Sequence, residues 1–227
     1  MSGSTPPWMS KWAHDLREPL SPMQSALYLL RHGDSQGAER DDLFDLIDRQ
    51  IRRLVSMIDE VNDWVRADQG RLLHIRGPVE LMLIIEGSLN AAGPGMLPVE
   101  YRDGVERARV NGDAPRLAGL FSTIFWLMSS PAVDGAETAD ARAIVSLDRQ
   151  TGSVHVEGKL SRALGIRGSL ANLFAEPQPA AMGDGMGLRA LIAMAIARGH
   201  GGEIVLREEG PDVVLHLTLP LLDEQAA

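Results

Sequence analysis

Apolar side chains in residues 1–69 recur at the spacing that packed helices require. In a first stretch they recur every three or four residues, close to the repeat of about 3.5 residues in helical bundles. These positions are Trp12, Leu16, Leu20, Met23, Leu27 and Leu30. A second stretch, over about residues 40–67, repeats the spacing at Leu43, Ile47, Ile51, Leu54, Ile58, Val61 and Val65. The pattern predicts two long helices.

A short polar link at residues 33–37, with glycine at each end, separates the two predicted helices. Short links favour antiparallel neighbours, so the two stretches are predicted to form a helical hairpin. Because such a hairpin cannot bury both apolar faces by itself, we expect it to form a four-helix bundle with a second copy. Residues 1–69 are therefore predicted to be the dimerisation domain of a homodimer.

Beyond residue 70 the chain changes to shorter segments of both kinds. Helices are predicted at 78–90, 113–128 and 187–198, and strands at 98–102, 107–110, 143–147, 153–157, 203–207 and 213–219. The last four strands are predicted to form two hairpins. Because strands and helices do not alternate as in a βαβ fold, residues 70–227 are predicted to form an α+β sandwich, with helices on one face of a mixed sheet.

Composition and charge exclude several classes of protein. Of the 227 residues, 44% are hydrophobic and 23% are charged, which is an ordinary globular balance. The net charge of −9 argues against broad binding to nucleic acid or to anionic membranes. The chain has no cysteine for a thiolate metal site, and no apolar run that predicts a membrane span or a signal peptide. We therefore expect a cytoplasmic protein with no nucleic-acid and no membrane partner.

The first candidate for chemistry is His14, which lies beside the apolar stripe of the first helix rather than on it. An exposed imidazole is a competent nucleophile toward phosphorus near neutral pH. The adjacent Asp15 can hold one ring nitrogen protonated and leave the other free to attack. Pro19 removes a backbone donor and can bend the helix after the nucleophile. A lone His–Asp pair is also compatible with a solvated surface histidine.

The second candidate is a glycine-rich segment with Gly183, Gly185 and Gly187, directly before a predicted helix. Glycine allows the backbone to approach a phosphate closely, and the helix N-terminus presents free N–H groups to it. Such a loop is also compatible with an ordinary turn. His200, in the His-Gly-Gly sequence after that helix, is interpreted as a capping or turn histidine.

The segment HDLREPLSPMQSALYLL, which begins at His14, resembles the phospho-acceptor box of two-component sensor histidine kinases. The glycine-rich segment, with the later His-Gly-Gly turn, is similar to the second glycine box of the GHKL-like ATP-binding domain of those kinases. The similarities follow the order of the family from about residue 13 to residue 221. They imply a dimeric stem that carries phosphate on His14, followed by a kinase-like sandwich.

Two nucleotide-binding elements of that family are altered in this chain. Residues 113–117 resemble the start of its asparagine box, but Leu127 stands where the family has its Mg²⁺-binding asparagine. Leucine offers no oxygen to a hard cation. Glu157 falls near the family's adenine-reading aspartate, yet no Gly-x-Gly follows it. The resemblance therefore implies a vestigial nucleotide loop and no cofactor.

The combination resembles histidine phosphotransferases that descended from kinases and kept the fold without ATP. It implies that phosphoryl groups pass between His14 and the aspartates of response-regulator receiver domains, while Asp15 orients the ring. Arg17, Glu18 and Ser21 are predicted to contact the receiver, although Arg17 is equally compatible with a solvated surface arginine. Glu18 stands where the family has threonine or asparagine, and its charge argues against phosphatase activity.

Two other functions remain open at this point. An active histidine kinase core would use ATP and Mg²⁺ as cofactors through unusual ligands, and the glycine loop supports it. A non-catalytic adaptor would dock a receiver or a kinase through the stem without turnover.

Overall fold

The computed structural model describes residues 12–33, 36–92, 97–102, 104–129, 142–160, 172–178, 185–210 and 212–222. Within these segments the chain forms six α-helices: α1 Trp12–Asp15, α2 Leu20–His32, α3 Ala38–Asp68, α4 Leu81–Ala92, α5 Ala114–Ser129 and α6 Arg189–Gly199. Helices α2 and α3 pack against each other across the short link, as the predicted hairpin requires. An α/β domain follows this helical stem.

The first predicted helix is interrupted between α1 and α2. The N–H of Arg17 bonds to the carbonyl of His14 at 2.9 Å, and the N–H of Leu20 bonds to the carbonyl of Arg17 at 3.0 Å. Both bonds reach three residues back rather than four, which is the tighter 3₁₀ pattern. Pro19 has no N–H to continue the α-helical ladder. The prediction of one continuous helix was therefore wrong, and the break lies where Pro19 was predicted to act.

The strands form a mixed five-stranded sheet and a separate two-stranded ribbon. They are β1 Gly77–Glu80, β2 Val99–Tyr101, β3 Arg109–Gly112, β4 Ala143–Asp148, β5 Ser153–Leu160, β6 Glu203–Glu209 and β7 Asp212–Pro220. The sheet has the order β2-β4-β5-β7-β6, with β2 parallel to β4 and the other neighbours antiparallel. The predicted mixed sheet and both predicted hairpins are confirmed.

The segment predicted as one helix at 78–90 is a strand followed by a helix. Strand β1 pairs antiparallel with β3, with Val79 opposite Val110. Helix α4 begins at Leu81, whose N–H bonds to the carbonyl of Ala108 at 3.0 Å. Pro78 therefore lies in a strand and not at a helix start. The local pattern missed this because the pairing partner lies far along the chain.

Helix α5 supplies the centre of the core between the helices and one face of the sheet. Its buried side chains are Leu117, Leu120, Phe121, Ile124, Phe125, Leu127 and Met128. On β5 the residues that alternate with His155 and Glu157, such as Val154 and Val156, are completely buried. Since successive side chains of a strand point to opposite faces, one face of the sheet is covered by helices and the other is polar.

The stem meets the α/β domain along one side of α3. Met57 and Glu60 are the buried residues of that helix, and Met57 belongs to the same apolar cluster as the domain core. The length of α3 does not make it a membrane span, because no helix in the described part of the chain is both long enough and apolar enough for one.

Candidate functional site

His14 lies on the short helix α1, and its side chain is 80% exposed. The predicted exposure of the ring is therefore confirmed for the single chain. Nδ1 lies 3.4 Å from Oδ1 of Asp15, which is a long hydrogen bond. Among the described residues, Nε2 has no hydrogen-bond partner. A proton on Nδ1, toward the carboxylate, leaves the lone pair of Nε2 directed at solvent.

Two contacts hold the segment around His14 against α3. The ring of Trp12 packs edge-on against Trp64, with the centroids 5.4 Å apart. On the other side of His14 in the sequence, the carboxylate of Glu18 lies 3.6 Å from the guanidinium of Arg53. The segment is therefore fixed at both ends while the imidazole between them stays open.

Two carboxylates border the imidazole. One nitrogen of His14 and one oxygen from each of Asp15 and Glu18 lie within 4.8 Å of one another. A negative charge this close disfavours a second anion, and Arg53 offsets part of it. Arg17 and Ser21 are exposed in the same short surface segment. His14, Asp15 and Glu18 thus lie together at the break between α1 and α2, and Arg17 and Ser21 are exposed near them in the sequence.

Gly185 and Gly187 of the predicted glycine loop are buried, whereas Gly183 lies outside the described residues. Gly187 has a φ of 75°, in the left-handed region that favours glycine. Helix α6 begins two residues later, at Arg189. The loop therefore leads directly into a helix N-terminus, as expected.

A carboxylate from the stem occupies this loop. Glu60 on α3 accepts hydrogen bonds from the N–H groups of Met186, at 2.9 Å, and Leu188, at 3.1 Å. It also accepts one from Nε of Arg189 at 3.1 Å. The side chain of Glu60 is 7% exposed. Sequence reasoning missed this contact because an acidic residue beside an apolar stripe is typical of a solvated helix face, and its partners are distant in sequence.

The two altered nucleotide-binding positions have other uses in the fold. Leu127 is completely buried in the core. Glu157 lies on the sheet face opposite the helices, where its carboxylate is 3.3 Å from Nδ1 of His216. Neither residue presents an oxygen to the helical side of the sheet. Together with the occupied glycine loop, these residues do not fit Mg²⁺–ATP in the manner that the resemblance describes.

His200 caps the N-terminus of α5 from within the core. Its Nε2 accepts the N–H of Asp113 at 3.0 Å, and its Nδ1 lies 2.7 Å from the carbonyl of Ile196, to which it donates. Burial lowers the pKa of His200, and the bond to Ile196 opposes this only in part. The ring is therefore neutral at neutral pH, and its interpretation as a capping histidine is confirmed.

The Asp-x-x-Arg sequence at the start of α5 also has structural roles. Burial acts to raise the pKa of Asp113, but the N–H groups of His74 and Arg116 outweigh it and hold the pKa below its usual value. The guanidinium of Arg116 lies 2.6 Å from Asp63 on α3. This part of the motif therefore ties the α/β domain to the stem.

The chain thus combines a helical stem that carries an exposed histidine with an α/β domain built on a mixed five-stranded sheet. Residues 8–70 match the family model of the His Kinase A (phospho-acceptor) domain, so the N-terminal part of the chain carries that domain. No curated protein matches the sequence.

Solved structures of histidine kinases share the fold. The Acinetobacter baumannii histidine kinase AdeS superposes with a TM-score of 0.67 at 14% identity, over 92% of this chain and 98% of that chain. Full-length ShkA in complex with AMPPNP superposes with a TM-score of 0.53 at 17% identity, over 96% of this chain but 46% of that chain. At such identities the likeness establishes the fold alone.

Proposed function

We propose that the chain is a histidine phosphotransferase of a two-component phosphorelay and that it works without ATP. The observation that carries the proposal is Leu127. At the position where the resemblance requires a Mg²⁺ ligand, a completely buried hydrocarbon side chain forms part of the core. The acceptor segment keeps its histidine, its carboxylate and its exposure. These two observations support phosphoryl transfer at the stem without nucleotide.

The transfer step requires only the imidazole of His14 and the aspartyl phosphate of a receiver domain. Nε2 of His14 attacks the phosphorus of the receiver's aspartyl phosphate in line, a P–N bond forms, and the aspartate carboxylate leaves with the electrons of the broken P–O bond. Asp15 holds the Nδ1 proton and stabilises the charge on the ring. The reverse step passes the phosphoryl group to a second receiver. Glu18 lies beside the ring, and Arg17, Glu18 and Ser21 contact the receiver.

The proposal includes a homodimer through the stem. Large apolar side chains remain exposed on α2 and α3: Leu27, Leu29, Phe44, Ile51, Val55 and Ile58. Several are members of the two apolar stripes, and a second copy of the hairpin would cover them in a four-helix bundle. Light scattering at micromolar concentration tests this, since a monomer would contradict it.

Phosphoryl transfer from a labelled receiver tests the function. The chain is incubated with phosphorylated receiver domains without ATP, and the label is followed onto the protein. We expect His14→Ala to abolish labelling and His32→Ala, at another exposed histidine of the stem, to retain it. Label that persists in His14→Ala, or no transfer from any receiver, would contradict the proposal. Regulation in cells that survives His14→Ala would favour a non-catalytic adaptor.

An ATP-dependent kinase core is the second candidate. The N–H donors of the glycine loop favour it, because donors at a helix N-terminus suit a phosphate group once Glu60 is displaced from them. Incubation with Mg²⁺ and labelled ATP separates the two functions. Labelling of His14 from ATP supports the kinase, whereas labelling from a receiver alone supports the phosphotransferase.

A further inference from the structure

The carboxylate of Glu60 has the contacts of a bound anion. Two backbone N–H groups and one guanidinium N–H converge on it at 2.9–3.1 Å, directly before α6. Donors of this kind, at the positive end of a helix, form the usual protein site for phosphate and carboxylate groups. Glu60 is buried, so its charge is compensated by these donors rather than by water.

The loop is shaped to this carboxylate. A side chain at Gly185 would overlap Oε1 and the carboxyl carbon of Glu60, because the backbone there passes directly against the carboxylate. Gly185 does not have a positive φ, so its backbone would accept alanine. Glycine is needed at this position for the close approach of Glu60 and not for the conformation of the turn.

The contact also crosses between the two parts of the molecule. Glu60 belongs to the stem, whereas Met186, Leu188 and Arg189 belong to the α/β domain. A second ion pair between the same helix and the domain, Asp63 with Arg116, lies one turn further along α3. Displacement of Glu60 would therefore free an anion site and loosen the domain from the stem at the same time.

We propose that Glu60 is a built-in anion that takes the place of a phosphate in the glycine loop and clamps the α/β domain onto the stem. The contact is autoinhibitory toward nucleotide, because an external phosphate and Glu60 cannot occupy the same donors. This inference rests on the proposed function, because a phosphotransferase that needs no ATP can keep its glycine loop filled by Glu60.

A double-mutant cycle tests the clamp. We expect Glu60→Ala to lower the midpoint of thermal unfolding by roughly 10 °C, because the buried donors lose their acceptor. Gly185→Ala should lower it in the wild-type background and have little effect in the Glu60→Ala background, where the added methyl has space. The matched control is Asp59→Ala, an exposed carboxylate next to Glu60 in the sequence, which should leave the midpoint unchanged. Equal effects of Gly185→Ala in both backgrounds would overturn the proposal.

Anion binding tests the site itself. Inorganic phosphate and tripolyphosphate should raise the midpoint of Glu60→Ala by several degrees more than that of the wild type or of Asp59→Ala. If Glu60→Ala fails to fold, Glu60→Ser, which also removes the carboxylate and leaves its space empty, replaces it in both experiments. Equal anion effects in all variants would overturn the clamp and leave the proposed function intact. Binding of Mg²⁺–ATP to the wild type, followed by labelling of His14, would instead overturn the proposed function.

Discussion

The stem and the α/β domain differ in how completely their apolar side chains are buried. On the stem, Ile51 and Val55 of α3 remain 44% and 52% exposed, although Ile51 belongs to a regular stripe. In the domain, Phe121 and Phe125 of α5 are completely buried. An amphipathic stripe shows that a surface needs covering, but it does not say what covers it. The domain closes its core within one chain, whereas the stem leaves large apolar side chains exposed.

The largest expected effect is in the closed core. Leu127→Asn restores the residue type that the resemblance calls for, yet it places an amide in a completely buried position. We expect a loss of about 3 kcal/mol or more in the free energy of unfolding, measured by denaturant titration. Leu83→Asn, on the exposed face of α4, is the matched control and should cost less than about 1 kcal/mol. A loss for Leu127→Asn no larger than that for Leu83→Asn would show that position 127 is not part of the closed core.

The next effect concerns the open face of the stem. Ile51→Asp should leave the fold of the single chain intact and weaken dimerisation by at least about 100-fold, because the new charge would be buried without a partner. Analytical ultracentrifugation over a range of concentrations measures this. Ile75→Asp, at an exposed position outside the stem, should not change the association. Equal association of both variants would show that the stripe of α3 is not the interface.

A smaller effect is the pH dependence of stability that His200, in the α/β domain, is expected to produce. Burial lowers the pKa of His200 below 6.5, so folding favours the neutral ring. Since the unfolded chain binds the proton more readily, stability is complete above about pH 6.5 and falls as the pH falls toward the folded pKa, by at most about 1.4 kcal/mol per pH unit. His200→Gln should remove this slope, and His32→Gln should retain it. Asp113, whose pKa is lowered, contributes a separate loss below about pH 3.8.

The smallest effect is at the junction of the two parts. Asp63→Ala breaks the ion pair with Arg116, both partners being mostly buried, and should cost about 1–2 kcal/mol in the free energy of unfolding. Glu80→Ala breaks the exposed pair with Arg109 and should cost no more than about 0.5 kcal/mol. A smaller loss for Asp63→Ala than for Glu80→Ala would show that the junction does not depend on this pair.

Local patterns predicted much of the fold. The hairpin, the mixed sheet and the two strand hairpins follow from apolar periods and turn residues, which are properties of neighbouring positions. The misplaced helix start at Pro78 has a different origin, since β1 exists only because β3 pairs with it. Backbone pairing between distant segments leaves no local trace.

Some features of the candidate site were likewise predictable from local sequence, and others were not. The sequence by itself determined the acceptor segment, because His14, Asp15 and Pro19 are near neighbours whose chemistry and backbone effects act locally. It also determined the loss of an oxygen ligand at Leu127. Only the tertiary structure decided what fills the glycine loop, because Glu60 meets Met186 and Leu188 across two parts of the fold. A carboxylate on a helix has the same sequence pattern whether water or buried N–H groups solvate it, and only the packing of α3 against the loop distinguishes the two.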